Sequence, residues 1–171
     1  CQAKRSLKIS LLLLDFRKFP DIIQGVNRFY SSPETYYERW LTPVLQQAVQ
    51  DHPIVVLSGA RQVGKSTLLL NAVPFKDWRF LSLDDFDVLR QAEQAPSALW
   101  AGAEQIVLDE VQKTPELLSA VKLAVDRHPG RYRFVLSGSA NLLLMRQVSE
   151  SLAGRAVYFI LDPMSLGETR Q

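Results

Sequence analysis

Gly59-Ala60-Arg61-Gln62-Val63-Gly64-Lys65-Ser66 fits the spacing G-x-x-x-x-G-K-[ST] without a gap. Gly59 and Gly64 permit backbone angles that turn successive N–H groups into one concavity, and a following helix adds its positive end. Such a cavity suits a polyphosphate. Lys65 can reach the β- and γ-phosphates, and the Ser66 hydroxyl can complete a magnesium shell otherwise made of water and phosphate oxygens. Thr67 is the first residue beyond the loop. Arg61 and Gln62 fill unconstrained positions, so their side chains are expected in solvent.

A second constellation is "QIVLDE", an apolar run ending in Asp109-Glu110. An aspartate at the end of a strand beside a phosphate loop can hold magnesium, and the adjacent Glu110 can orient or deprotonate an attacking water. Alone, the pair would read as a solvated acidic turn; with the loop upstream it reads as hydrolysis equipment. In "FVLSGSAN" another apolar run ends in small polar residues, and Ser137, Ser139 or Asn141 can meet the γ-phosphate or its water. Ser137, nearest the strand end, is the favoured one, with a plain Ser/Gly turn as the alternative. Arg155 in "SLAGRAV" can stabilise phosphoryl-transfer charge, or sit solvated at a strand start. The acids of "LDDFD" (residues 83–87) are expected to cap a helix and face water.

Positioning these groups requires a regular scaffold. Apolar, β-rich runs occur at 54–58, 78–83, 105–109, 132–137 and 156–161. Helix-length segments alternate with them, which predicts a parallel sheet covered on both faces, a three-layer α/β domain. In "SSPETYYERWLTPVLQQAVQ", Ser32 before Pro33 and Thr42 before Pro43 each fit a helix cap. Trp40, Leu41, Val44, Leu45, Ala48 and Val49 then form one apolar stripe. In "TPELLSAVKLAVDR", Thr114 is expected to cap and Pro115 to open a helix with Leu117, Leu118, Val121, Ala124 and Val125 on one face.

Bulk properties exclude several partners. With 20 basic and 18 acidic residues among 171, the net charge of +2 gives no electrostatic case for nucleic acid or a membrane surface. No apolar run approaches the roughly 20 residues of a membrane span. One cysteine, Cys1, and two histidines, His52 and His128, make neither a disulfide framework nor a metal cluster. A cytoplasmic setting is expected. Residues 1–34 are expected to be an N-terminal extension, and 35–171 the folded core.

The stretches "GARQVGKST", "FLSLDD", "IVLDEVQK", "LSGSANLLL" and "SLAGRAVYFILDPMSLGE" resemble the prokaryotic AAA-type ATP-binding proteins that carry a further C-terminal domain of unknown function, a resemblance that covers roughly residues 36–168. The resemblance implies that Gly59 to Thr67 are a Walker A loop binding ATP, Asp109 and Glu110 a Walker B pair with Mg2+, and Ser137 a sensor-like position. It implies a P-loop fold with sheet order 5-1-4-3-2 and the loop strand central. No helical lid, winged helix or C-terminal domain follows the fifth strand, so the chain is expected to be the N-terminal ATPase part, truncated on its C-terminal side. A protein partner or a second copy would engage through that further region.

Rival classes fare worse on the residues. No N-K-x-D guanine reader occurs, "LSGSA" follows the acidic strand where an ABC signature would precede it, and no second motor domain accompanies "DEVQK". Small-molecule kinases usually lack the glutamate that Glu110 supplies. A slow Mg-dependent ATPase is therefore expected, with an ATP-gated switch or an inactive fragment as the alternatives.

Overall fold

The computed structural model describes residues 36–139 and 152–170 of the chain. The expected extension over residues 1–34, the Ser32 cap and Asn141 lie outside them.

Five strands form one sheet: β1 (Ile54–Gly59), β2 (Arg79–Ser82), β3 (Gln105–Asp109), β4 (Arg133–Ser139) and β5 (Ala156–Ile160). Their order is β2-β3-β4-β1-β5, every pairing is parallel, and the loop-bearing β1 lies between β4 and β5. This is the order that the resemblance implies. Parallel strands need crossovers, here made by α2 (Lys65–Asn71), α3 (Phe86–Gln94) and α4 (Leu117–Arg127), while α1 (Thr42–Asp51) precedes β1.

Strand alternation assigns the two cores. Ile54, Val56, Ile106, Leu108, Phe134 and Leu136 pack with α3 and α4 on one face. Val55, Leu57, Val107 and Val135 pack with α1 and α2 on the other. Because β1 feeds both, all six of its residues are buried, which explains an unbroken apolar run without polar alternation. Each buried Leu, Ile or Val contributes roughly 1.5–3 kcal/mol, so the sheet centre is where the domain is hardest to deform.

The helix starts correct three expectations. Thr42 does not cap α1: it is the first helical residue, buried, with Leu41 at the cap and no side-chain capping bond. Thr114 does not cap α4 either; it is buried, and the helix begins three residues later after a turn in which Leu117 N–H donates to the Thr114 carbonyl at 3.1 Å. Trp40 and Val44 leave the predicted stripe for solvent, while Leu45, Ala48 and Val49 are buried in the core and Leu41 packs half-buried against it. Asp85 is the acid that caps, accepting from the Asp87 and Val88 N–H groups at the start of α3.

Candidate functional site

Since all strands run the same way, their carboxyl ends share one edge of the sheet, and the loops there form the crevice in which open α/β sheets bind ligands. Residues 60–64 connect β1 to α2 at this edge. Gln62 and Gly64 both take left-handed backbone angles, φ 66° and 94°. The two glycines act differently. Gly64 supplies the left-handed residue in front of α2. Gly59 is required by close approach: a Cβ there would land on the Leu161 carbonyl oxygen, where the chain leaving β5 passes the loop.

Lys65 is 6% exposed, and its Nζ donates to the Gly59 and Ala60 carbonyls at 3.0 and 2.9 Å. Two of the three ammonium donors therefore bridge the loop on itself. α2 is only seven residues long, so the loop amides and this ammonium, rather than a long helix dipole, are the main positive contributions.

β3 brings the acids to the same edge. Ser66 Oγ donates to Asp109 Oδ2 at 2.7 Å, joining residues 43 apart in the chain. Asp109 is 1% exposed and its Oδ1 has no protein partner. Ser137, on β4, is fully buried with an unpartnered Oγ. β3 and β4 pair Leu108 with Leu136, so the next residues, Asp109 and Ser137, are level with each other and face the α1/α2 side with Val107 and Val135. An unsatisfied buried polar group costs about 1–3 kcal/mol, and a polar ligand at this strand edge would relieve both.

Glu110 follows in a left-handed conformation, φ 57°, unusual for a residue with a side chain. Its carboxylate accepts a hydrogen bond from Gln112 Nε2. Strain of this kind, of order 1–3 kcal/mol, persists where the surroundings hold it, often at functional sites. Beside the loop lies a cleft of about 530 Å3, walled by Tyr36, Tyr37, Pro163, Met164 and loop residues 60–64.

Residues 51–170 match the family described as AAA domain. The chain belongs to the AAA domain family. Two relatives, uncharacterized proteins of Mycobacterium tuberculosis and Mycobacterium bovis, are each 35% identical to this AAA domain over 113 residues. The match covers 65% of this chain but 25% of theirs, so the chain spans a quarter of the length of these curated relatives. A solved structure, the Walker-type ATPase of Pyrococcus abyssi, superposes with a TM-score of 0.54 at 19% identity, over 80% of this chain and 56% of that one. That similarity is one of fold.

Within the AAA domain, the geometry gathers Gly59 to Thr67, Asp109, Glu110 and Ser137 at one sheet edge. Ser139 ends β4 opposite Gly59, half-buried. Ala60, Arg61, Gln62 and Thr67 are exposed, as expected of the open side of a loop, and Val63 packs against the α1/α2 core. Arg155 is the exception. β5 enters the sheet with Ala156 opposite Ile54, the first residue of β1, so Arg155 stands at the amino edge, away from the loop. There it pairs with Asp126 at 2.5 Å and donates to the Ala153 carbonyl at 2.9 Å. The catalytic expectation for Arg155 fails on strand direction: a residue opening a parallel strand cannot reach the site at its end.

Sequence reasoning passed over Arg39. Its guanidinium is buried against the loop, donating to the Val63 carbonyl at 2.8 Å and pairing with Glu168 at 3.0 Å. No spacing rule marks a single arginine before a helix. Among the described residues no helix is long and apolar enough to cross a membrane.

Proposed function

We propose that this AAA domain binds ATP with Mg2+ at the carboxyl edge of β1 and hydrolyses it slowly. The observation that carries the reading is the 2.7 Å bond from Ser66 to Asp109, which brings the loop hydroxyl and a buried carboxylate together. The donor set fits magnesium. Ser66 Oγ and Asp109 are hard oxygens, Asp109 Oδ1 is unpartnered, and no cluster of three or more His, Cys, Asp or Glu competes among the described residues. Magnesium keeps most of its waters and takes few protein ligands, and when bound it would neutralise phosphate charge.

The chain's own residues do the rest. Amides of the loop from Gly59 to Thr67 gather the phosphate oxygens, and Lys65 exchanges the Gly59 and Ala60 carbonyls for them. Glu110 orients the attacking water and takes its proton, and Ser137 Oγ offers a hydrogen bond at the same edge. The apolar cleft beside the loop, within the roughly 300–1,000 Å3 usual for ligand pockets, takes the base between Tyr37 and Met164. A cytoplasmic setting, a protein partner or second copy engaged through a C-terminal region, and a core over residues 35–171 belong to the same reading.

Titration of a fluorescent ATP analogue with Mg2+, alongside phosphate release, tests it. Lys65→Ala should abolish binding. Glu110→Gln should bind like the parent and lose about 100-fold or more in turnover. Parental binding by Lys65→Ala would refute the loop assignment. A second reading, an ATP-gated switch with incidental turnover, draws on the hydrogen bond that engages Glu110 with Gln112. It predicts binding with no difference in phosphate release between the parent and Glu110→Gln.

A further inference from the structure

Arg39 sends its three nitrogen positions to three different parts of the chain. Nε donates to Glu168 Oε1 at 3.0 Å, Nη1 to the Val63 carbonyl at 2.8 Å and Nη2 to the Asp162 carbonyl at 2.6 Å. The partners are the 3₁₀ turn Glu168–Arg170, the phosphate loop, and the segment leaving β5. Arg39 is 4% exposed and Glu168 5%. Burial by itself would raise the Glu168 carboxyl, but N–H donors from Ser165 and Trp40 and the Arg39 guanidinium outweigh it and bring it down to about 2. The pair is therefore charged throughout the physiological range.

A guanidinium is a rigid planar fork, so its three partners cannot move independently without breaking a bond. The Val63 contact matters most. A trans peptide sets the carbonyl of one residue and the N–H of the next in opposed directions, so holding the Val63 oxygen aims the Gly64 N–H. Gly64 itself lies close enough that a Cβ on it would sit 3.6 Å from Arg39 Nη1.

We propose that Arg39 is a positioning residue that couples the phosphate loop to the segment from Leu161 to Glu168, so that filling the loop and ordering that segment favour each other. The coupling rests on the reading of the loop as a nucleotide site. By linkage it is reciprocal: what tightens the Glu168 turn raises nucleotide affinity by the same factor.

The molecule carries a reporter. Of its three tryptophans, Trp78 and Trp100 are buried at 7% and 4% exposure, while Trp40 is 62% exposed. The backbone N–H of Trp40 donates to Glu168 Oε1 at 2.9 Å, and the Trp40 ring covers Gly167, where a Cβ would fall 2.6 Å from the indole. Acrylamide quenching of the 171-residue chain therefore reads Trp40 and the turn beneath it. Adding a non-hydrolysable ATP analogue with Mg2+ should change that quenching in the parent.

Arg39→Lys keeps the charge but cannot hold three partners; it should weaken analogue affinity about tenfold and lose the quenching response at saturating analogue. Glu168→Gln keeps the acceptor for Trp40 and removes the ion pair; it should also lose the response, and it carries the test should the lysine variant not fold. A purely structural Arg39 would lower the unfolding midpoint while leaving affinity and the quenching response parental, and that result overturns the coupling. A parent that binds the analogue without any Trp40 change overturns it too. If the parent and Lys65→Ala are alike in failing to bind, the nucleotide reading has failed first and the coupling falls with it.

Discussion

The two edges of the sheet use the same residue types in opposite ways. At the carboxyl edge Lys65, Asp109 and Ser137 are 6%, 1% and 0% exposed, with the buried Arg39–Glu168 pair behind them. At the amino edge Arg155 pairs with Asp126 and Arg131 with Glu104, with side chains 35% to 64% exposed. Water screens the second set, and such pairs add little. Burial denies the first set that screening: the Arg39–Glu168 pair is matched, and removing one partner of such a pair typically costs about 3–5 kcal/mol, while Asp109 Oδ1 and Ser137 Oγ have no protein partner. Parallel strands explain the asymmetry: their carboxyl ends open together between diverging loops, so polar groups can be both enclosed and accessible to a ligand.

The contrast is broken most forcefully by deleting its central cation. Lys65→Ala removes the ammonium that bridges the loop, and the expected loss of ATP-analogue binding is complete on a titration to millimolar concentration. Glu110→Gln, at the same edge, separates turnover from binding. Both effects should exceed anything obtained from a cation at the amino edge.

A smaller effect sharpens the comparison through pH. The Glu168 carboxyl ionises near 2 in the folded chain against an ordinary value of 4.5, so its contribution to stability is full above 4.5 and lost as pH falls towards 2. Denaturant midpoints measured from pH 6 to 2 should therefore fall more steeply for the parent than for Glu168→Gln, which has no proton to take up. Parallel profiles would show that the pair at this edge is no better matched than those at the other.

Much of this arrangement was legible beforehand, because local patterns encode it. Five apolar runs became five strands, and glycine spacing with Lys65-Ser66 marked the loop. The pairing of Ser66 with Asp109 followed from two motifs that share a strand edge. What escaped depends on contacts distant in sequence. Arg39 meets Glu168 across 129 residues, and neither carries a spacing signature. Gly59 is needed for a neighbour, the Leu161 carbonyl, rather than for its own turn. Thr42 and Thr114 have capping chemistry and proline beside them, yet both are buried and neither side chain caps its helix. Arg155 was misplaced for a plainer reason: its position in the sequence says that it opens a strand, but only the strand's direction says at which edge.

Arg155 therefore gives the weakest expected effect and the sharpest control. Its guanidinium holds the Asp126 carboxyl below the ordinary value through a hydrogen bond made in open water, and nothing at the loop depends on it. Arg155→Ala should leave ATP-analogue affinity unchanged and turnover within about twofold of the parent, with a denaturation midpoint inside experimental error. A tenfold loss of turnover with unchanged folding would demand that the amino edge meet a phosphate. Within one chain the parallel sheet forbids that, so the arginine would have to act on a second copy, and turnover per chain would then rise with protein concentration in the parent but not in the variant.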